Sequence, residues 1–500
     1  MQADQTIAAE RNGPSRRIWP MLASLLLVGL ADCLILTAPS PGLGWFLFAV
    51  ALALALAGGA LARNRVRYAL NAGAIVIVAA LPLIETPSLP GLAVTTLALA
   101  IAALLAARLL PSALGRLPAV LMRYAVLAPF RLIGDGFSAR SSGAGTELRR
   151  AVMRQAIGWL VPLLFLAIFL WLFLVANPVL DLAASQVSLG DFAFPEPIRL
   201  FGWAVLAAAM WALLRPRLLR RFKRRPAAEP VTRTESLLFG RTAILRSLVI
   251  FNTLFALQTA LDLTYLWGGV TLPDGMSHAD YAHRGAFPLI VTALLAAVFV
   301  LAAMRPNGPG VHSKPIRVLV YAWIGQNILL CISAILRLDL YVEAYSLTEL
   351  RVAAGIWMGL VAVGLLLILL RIALRQTSGW LIATNLISLA VTLYGCAWID
   401  FSALIARFNV EHSREVSGEG MRLDLDYFYV LGPTVIPVLD DYTARIGRRS
   451  DVDTLREQLV LDAHMQASKD WRGWSWRQQR LMAYLDSTDG NDNNSSILPD

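Results

Sequence analysis

What this chain can fold into is set first by its repeated apolar runs. A run of roughly 17 to 25 residues with few charges can cross the ~30 Å hydrocarbon core of a bilayer as a helix. Eleven such runs follow one another, at 18–38, 42–61, 68–84, 91–110, 156–175, 198–214, 243–266, 286–304, 318–336, 352–370 and 380–398. The expected fold class is therefore all-α: a polytopic α-helical membrane protein with about eleven transmembrane helices and a small helical extracytoplasmic appendage at the carboxyl end. Composition agrees, since a chain 57% hydrophobic and 16% charged, with mean hydropathy +0.60, is too apolar for a water-soluble globule of its length. The run at 18–38 follows Arg16 and Arg17 as a signal peptide would, but no small-x-small cleavage site ends it, so it reads as a retained first helix.

Lys and Arg then give the orientation, because cytoplasmic connectors retain positive charge. Arg11, Arg16 and Arg17 precede the first run; "RNRVR" (63–67), the segment 111–155, "RPRLLRRFKRRP" (215–226), the loop holding Arg305 and Lys314, and Arg371 with Arg375 follow at every second connector. The intervening connectors hold almost none, Arg284 excepted. This pattern predicts a bacterial inner-membrane protein with a cytoplasmic amino terminus and an extracytoplasmic carboxyl terminus. The net charge of +10 sits in these connectors, so it points to anionic lipid and not to nucleic acid. The expected layout is a cytoplasmic arm (1–17), four helices (18–110), a cytoplasmic amphipathic segment (111–155), seven helices (156–399), an outer helical appendage (400–485) and a disordered tail (486–500). In the appendage, "DWRGWSWRQQR" alternates Trp with Arg, a composition suited to docking on headgroups or on the membrane domain. Cys33, Cys331 and Cys396 are far apart and lack Cys-x-x-Cys spacing, which argues against a disulfide framework or a zinc site.

Polar side chains within the spans are the places to look for function, since a central Asp or Arg costs about 2.5–3.5 kcal/mol on insertion scales. In the seventh run Gln258, Asp262 and Tyr265 fall on one helical face near the outer end, with Asn252 deeper on a neighbouring face. In the ninth, Gln326, Ser333 and Arg337 form one stripe rising outward. Arg351 at the start of the tenth run and Asp32 in the first reach a similar depth, and Asn385, Ser388 and Thr392 stripe the eleventh. These residues predict a polar cluster in the outer third of the bundle, with Asp262 and Arg337 as its ion pair. Interhelical hydrogen bonds of this kind commonly serve as packing glue, at ~0.6 kcal/mol each, so glue is favoured over a binding or conduction site.

The polar patch "TYLWGGVTLPDGMSHADYAHRG" (264–285) follows the seventh run. Tyr265 and Trp267 suit the water interface, "GG" and "LPDG" are turn chemistry, and Ser277 with Asp280 has the shape of a capping box. Asp280 and Arg284 are spaced i, i+4 and can pair. His278 and His283 are five apart, off the spacing that aims two imidazoles at one metal ion, so neither metal nor other cofactor is expected.

The tract "IFNTLFALQTALDLTYLWGGVTLPDGMSHADYAHRGAFPLIVTALLAAVFVL", with the later "RLDLYVEAYSLTELRVAAGIWM", "IARFNV" and "LDLDYFYVLG", resembles the bacterial polytopic membrane family known as domain of unknown function 4173. The resemblance centres on about 240–400 and implies an inner-membrane protein without an assigned activity, so it carries over no catalytic residue. A membrane-embedded enzyme, with Asp280 or His283 as acid/base candidates, is the least favoured reading, since no Walker loop, dinucleotide fingerprint or activated Ser or Cys is present. The favoured function is a membrane scaffold or envelope signalling and accessory protein, its partners the lipid bilayer and an envelope protein. The alternative is a transporter or channel using the outer cluster of Gln258, Asp262, Arg337 and the loop residues Asp280 and Arg284.

Overall fold

The computed structural model describes residues 15–38, 42–128, 197–216, 241–264, 313–467 and 470–495. Within them the chain is helical, with no strand among the described residues. The first helices are α1 (Ser15–Ala31, continued by a π turn Asp32–Leu36), α2 (Leu43–Leu61), α3 (Val66–Ala80), α4 (Pro82–Glu85), α5 (Leu89–Ala106) and α6 (Leu117–Leu127). After them come α7 (Pro197–Leu214), α8 (Arg241–Asp262), α9 (Lys314–Tyr345), α10 (Glu349–Ala373) and α11 (Ser378–Cys396). Six helices among the described residues are long and apolar enough to cross a membrane: α2, α3 with α4, α5, α9, α10 and α11. Three shorter apolar helices lie at Pro20–Leu36, Arg199–Leu214 and Ile244–Ala260, and the runs 156–175 and 286–304 lie outside the described residues.

Two groups of helices form. Leu27, Leu34, Phe48, Leu52, Val76, Leu99, Met210 and Leu214 pack α1, α2, α3, α5 and α7 together. Ile244, Leu248, Ile316, Trp323, Ile324, Ile368 and Leu381 do the same for α8 to α11. Buried alanines, among them Ala53, Ala72, Ala102 and Ala103, let α2, α3 and α5 approach closely, as small residues do where lipid gives no hydrophobic drive between helices. Outward-facing side chains are large and apolar; Leu26, for example, is 70% exposed. Such faces need an apolar solvent.

Pro82 breaks the path of the second span, and its missing N–H would leave the Val78 carbonyl without its helical donor. The Tyr394 hydroxyl of α11 donates to that carbonyl at 3.1 Å, and the Thr95 hydroxyl of α5 donates to Ala79 O at 3.1 Å. The kink thus joins the two helix groups instead of weakening one.

The connectors at one end share a turn. After α2, α5 and α10 a non-glycine residue takes the left-handed conformation: Asn64 (φ 60°), Arg108 (φ 60°) and Arg375 (φ 54°). The next N–H then returns to the carbonyl five residues back: Arg65 to Ala60, Leu109 to Leu104, Gln376 to Arg371. This is the Schellman geometry that ordinarily selects glycine. A cation at a helix carboxyl end interacts favourably with the helix dipole, which offsets part of the left-handed penalty. Arg65 donates to Ala106 O at 3.1 Å, the Gly115 backbone lies against that of Gly379, and Ile316 clusters with Ile372 and Trp380. Arg63, Arg65, Arg108, Arg116, Lys314, Arg371 and Arg375 thereby share one end of the bundle.

The opposite end carries a helical cap: α12 (Phe401–Glu411), α13 (Arg414–Ser417), α14 (Leu425–Leu431), α15 (Ile436–Ile446), α16 (Ser450–Ala467) and α17 (Trp476–Ser495). The cap has its own core of Ile405, Val410, Phe428, Val435, Ile436, Leu439, Tyr442, Leu455, Leu459 and Leu485. Asp400 and Asp424 cap α12 and α14 by accepting from Ala403 N and Tyr427 N. The expected disordered tail from 486 differs from the structure, where α17 runs on to Ser495. Leu485 anchors it in the core, and the Ser487 and Thr488 hydroxyls return to the Tyr484 carbonyl.

Replacing Arg375 by glycine relieves its left-handed strain and is expected to raise stability by about 1 kcal/mol, whereas Arg375→Val is expected to lower it by about as much. Thermal unfolding of the purified protein in detergent micelles measures both shifts.

Candidate functional site: the intramembrane polar groups and the cap seam

The sequence-selected residues divide into three sets. Tyr265, Asp280 and Arg284, with the capping box and both histidines of that patch, lie outside the described residues, and so does the Asp262 side chain. Gln258 is half-buried on α8. Gln326 Nε2 on α9 donates to Asn252 O at 3.2 Å, and Asn252 Nδ2 on α8 donates to Leu319 O at 3.1 Å. These bonds form a polar seam between α8 and α9. Arg337 is 2% exposed, and Ser333 and Asn327 are buried on the same helix. Among the described residues, Gln326 Oε1, Asn327 Oδ1 and Trp323 Nε1 are buried without a hydrogen-bond partner.

Arg351 has a local role. Its Nη1 donates to Tyr345 O at 2.6 Å and to Ser346 O, and its guanidinium lies 4.6 Å from the Tyr341 ring centroid. It thereby satisfies carbonyls released at the end of α9, where Ser346 turns the chain with φ 67°.

Asp32 pairs with Arg199 on α7, Nε to Oδ1 at 2.8 Å and Nη2 to Oδ2 at 2.5 Å, while Trp203 Nε1 adds a third bond to Oδ1 at 2.8 Å. Sequence reasoning picked out Asp32 but missed Arg199. The signal was available in depth: Asp32 ends a span running one way and Arg199 opens a span running back. The five-residue π turn beginning at Asp32 re-aims the carboxylate.

The cap meets the bundle along two seams. In the first, Asn409 on α12 exchanges both amide bonds with the Leu347 backbone, at 2.7 and 2.9 Å, and Glu349 N donates to the Tyr427 hydroxyl at 2.9 Å. The quoted segments "SLTEL", "IARFNV" and "LDLDYFYVLG" therefore meet here. In the second seam, Arg472 donates to Cys33 O and to Thr37 Oγ1, and Leu43 N donates to Trp474 O at 2.8 Å. The Gly42 backbone packs directly on that of Gly473, so Gly42 has no room for a side chain.

Glu85, buried at the end of α4, accepts from Arg480 Nη1 at 3.2 Å and from Arg480 Nη2, and lies 3.4 Å from Arg477 Nε. Arg477 Nε is also 3.3 Å from Asp400 Oδ2. Two guanidiniums and two carboxylates thus balance at the seam. Beside it a cleft of about 500 Å³ is lined by Leu81, Ile84, Glu85, Trp398, Trp476 and Arg480. Sequence reasoning singled out the Trp–Arg alternation of 471–477 but did not identify Glu85 as its acceptor.

Within the cap, Asp440 accepts from Arg456 Nε at 2.5 Å and from the Tyr484 hydroxyl at 2.9 Å. Burial first, then that hydrogen bond, pushes the Tyr484 phenol up to about 12. The Arg472 guanidinium beside Asp470 holds its carboxyl below the usual range. Among the described residues no group of three or more His, Cys, Asp or Glu side chains is placed to hold a metal ion.

For the Asp32–Arg199 pair, Asp32→Asn or Arg199→Gln alone is expected to lower stability by about 2 kcal/mol, since each leaves a charged partner without its charge-assisted bonds. The double variant is expected to be no worse than either single, a coupling readable by thermal unfolding in micelles.

No curated protein and no solved structure matches the chain. A family model does match, and its number differs from the 4173 that the quoted segments suggest; short tracts of span and turn do not separate one uncharacterised membrane family from another. The matched region takes in α2 through most of α15, and with them the seam between Asn409 and Leu347, while α16 and α17 lie beyond it. The chain belongs to the family described as "Domain of unknown function (DUF4153)", whose model matches residues 46–442.

Proposed function

We propose that this protein is an inner-membrane scaffold or accessory protein of the bacterial envelope, with about eleven spans, a cytoplasmic amino terminus and the cap facing outward. One observation carries the reading: a helical unit with its own core is fastened, through two seams, to the end of the bundle opposite the arginine-bearing turns. Positive charge stays on the cytoplasmic side, so the cap belongs on the other. A platform held at the membrane surface suits the binding of another envelope protein, and Met421, Tyr429 and Val430 offer exposed apolar contacts on it.

A second reading, solute or ion transport, draws on the buried acceptors Gln326 Oε1 and Asn327 Oδ1 within α9, close to buried Ser333 and Arg337. A deletion strain separates the two. Once a phenotype under envelope stress or nutrient limitation is found, two variants are compared at matched abundance: Tyr429→Glu with Val430→Glu on the cap, and Gln326→Leu with Asn327→Leu in the span. The scaffold reading predicts that the cap variant fails to complement and the span variant complements; the opposite result overturns it in favour of transport.

A further inference from the structure

The cleft beside Glu85 is graded along its length. Leu81 and Ile84 lie one turn apart at the bilayer side, Trp398 closes the end of α11, and Trp476 and Arg480 come from the cap. It therefore sits where two membrane spans end and water begins. Trp398 and Trp476 are 43% and 49% exposed, and the Arg480 side chain is 56% exposed, so the cleft opens to its surroundings instead of being filled by the described residues. Each indole is held by an edge-on aromatic neighbour, Trp398 by Tyr394 and Trp476 by Trp474, with ring centroids 6.2 and 6.1 Å apart.

The charges are arranged unequally. Arg477, the more buried guanidinium, bridges Glu85 and Asp400 and completes the structural seam. Arg480 uses two N–H donors on Glu85, and a guanidinium has five. Its other N–H donors are not used on Glu85, and its side chain is more than half exposed to the cleft. A guanidinium with spare donors, next to indoles and above an aliphatic floor, is complementary to a phosphodiester attached to acyl chains. The volume suits the headgroup and glycerol portion of such a molecule, within the ~300–1,000 Å³ of ordinary ligand sites.

The geometry points to a phospholipid site: the cleft holds one bilayer glycerophospholipid, its phosphate on Arg480, its glycerol region between Trp398 and Trp476, and the start of its acyl chains on Leu81 and Ile84. The lipid thereby becomes part of the seam between cap and bundle. This inference needs only that the spans end at the cleft; it holds whether the cap serves as scaffold or covers a transport path.

The test uses the full chain, purified in detergent, delipidated and titrated with phosphatidylglycerol or phosphatidylethanolamine, with bound lipid counted by native mass spectrometry and stability followed by thermal unfolding. One tightly retained lipid and a rise in Tm with added lipid are expected for the wild type. Arg480→Gln is expected to weaken retention about tenfold, the loss of one charge-assisted hydrogen bond. Trp398→Ala touches none of the seam's ion pairs; measured against its own delipidated Tm, it should lose the lipid-dependent rise. Equal retention in all three proteins overturns the proposal. So does an equal Tm rise with soluble glycerophosphoglycerol, which would mark a free phosphodiester site, or a photoreactive residue at position 476 that cross-links to a segment of this chain and not to lipid.

Discussion

Inside hydrocarbon there is no water to complete a broken hydrogen bond, and most of the distinctive features of this structure follow from that shortage. Pro82 frees a carbonyl, and a tyrosine hydroxyl from a helix more than three hundred residues later takes it. Asn252 and Gln326 answer each other's helices instead of remaining unpaired in lipid. In water each of these groups would be solvated at little cost; here each becomes a fixed contact between helices.

Arginine solves a related problem at both ends of the bundle, in different ways. At one end Arg108 and Arg375 sit in left-handed turns that favour glycine, next to helix carboxyl ends whose dipoles welcome a cation. At the other, Arg472, Arg477 and Arg480 all belong to the cap, and each reaches a backbone carbonyl or carboxylate of the membrane domain. The first set closes the turns at one end of the bundle. The second set joins a water-facing unit to it. One residue type thus serves the turns at one end and the seam with the cap at the other, because its planar guanidinium offers five donors in a fixed fork.

The helices α2 to α5 and α9 to α11 were legible in the sequence because their apolar runs match bilayer thickness and their arginines alternate sides. Long-range pairing was less legible. Asp32 stands out as a charge in a span, whereas nothing local marks Arg199, at the start of the run 198–214, as its partner. Glu85 was hidden at the end of "LPLIE", where it resembled the edge of a loop; nothing local announces that two arginines nearly four hundred residues away will close on it. The extent of α17 is not legible because its last residues are polar and turn-forming, while the buried Leu485 that holds the helix in place is a tertiary fact.

The account depends on the basic turns and the cap facing two separate aqueous compartments. The most direct measurement starts from a version with Cys33, Cys331 and Cys396 replaced by serine, carrying a single new cysteine as either Arg375→Cys or Met421→Cys. Intact spheroplasts are treated with a membrane-impermeant maleimide. Labelling at 421 before permeabilisation, and at 375 only afterwards, is the result the proposed orientation predicts. Labelling of both positions in intact spheroplasts, or of neither until the membrane is opened, contradicts it.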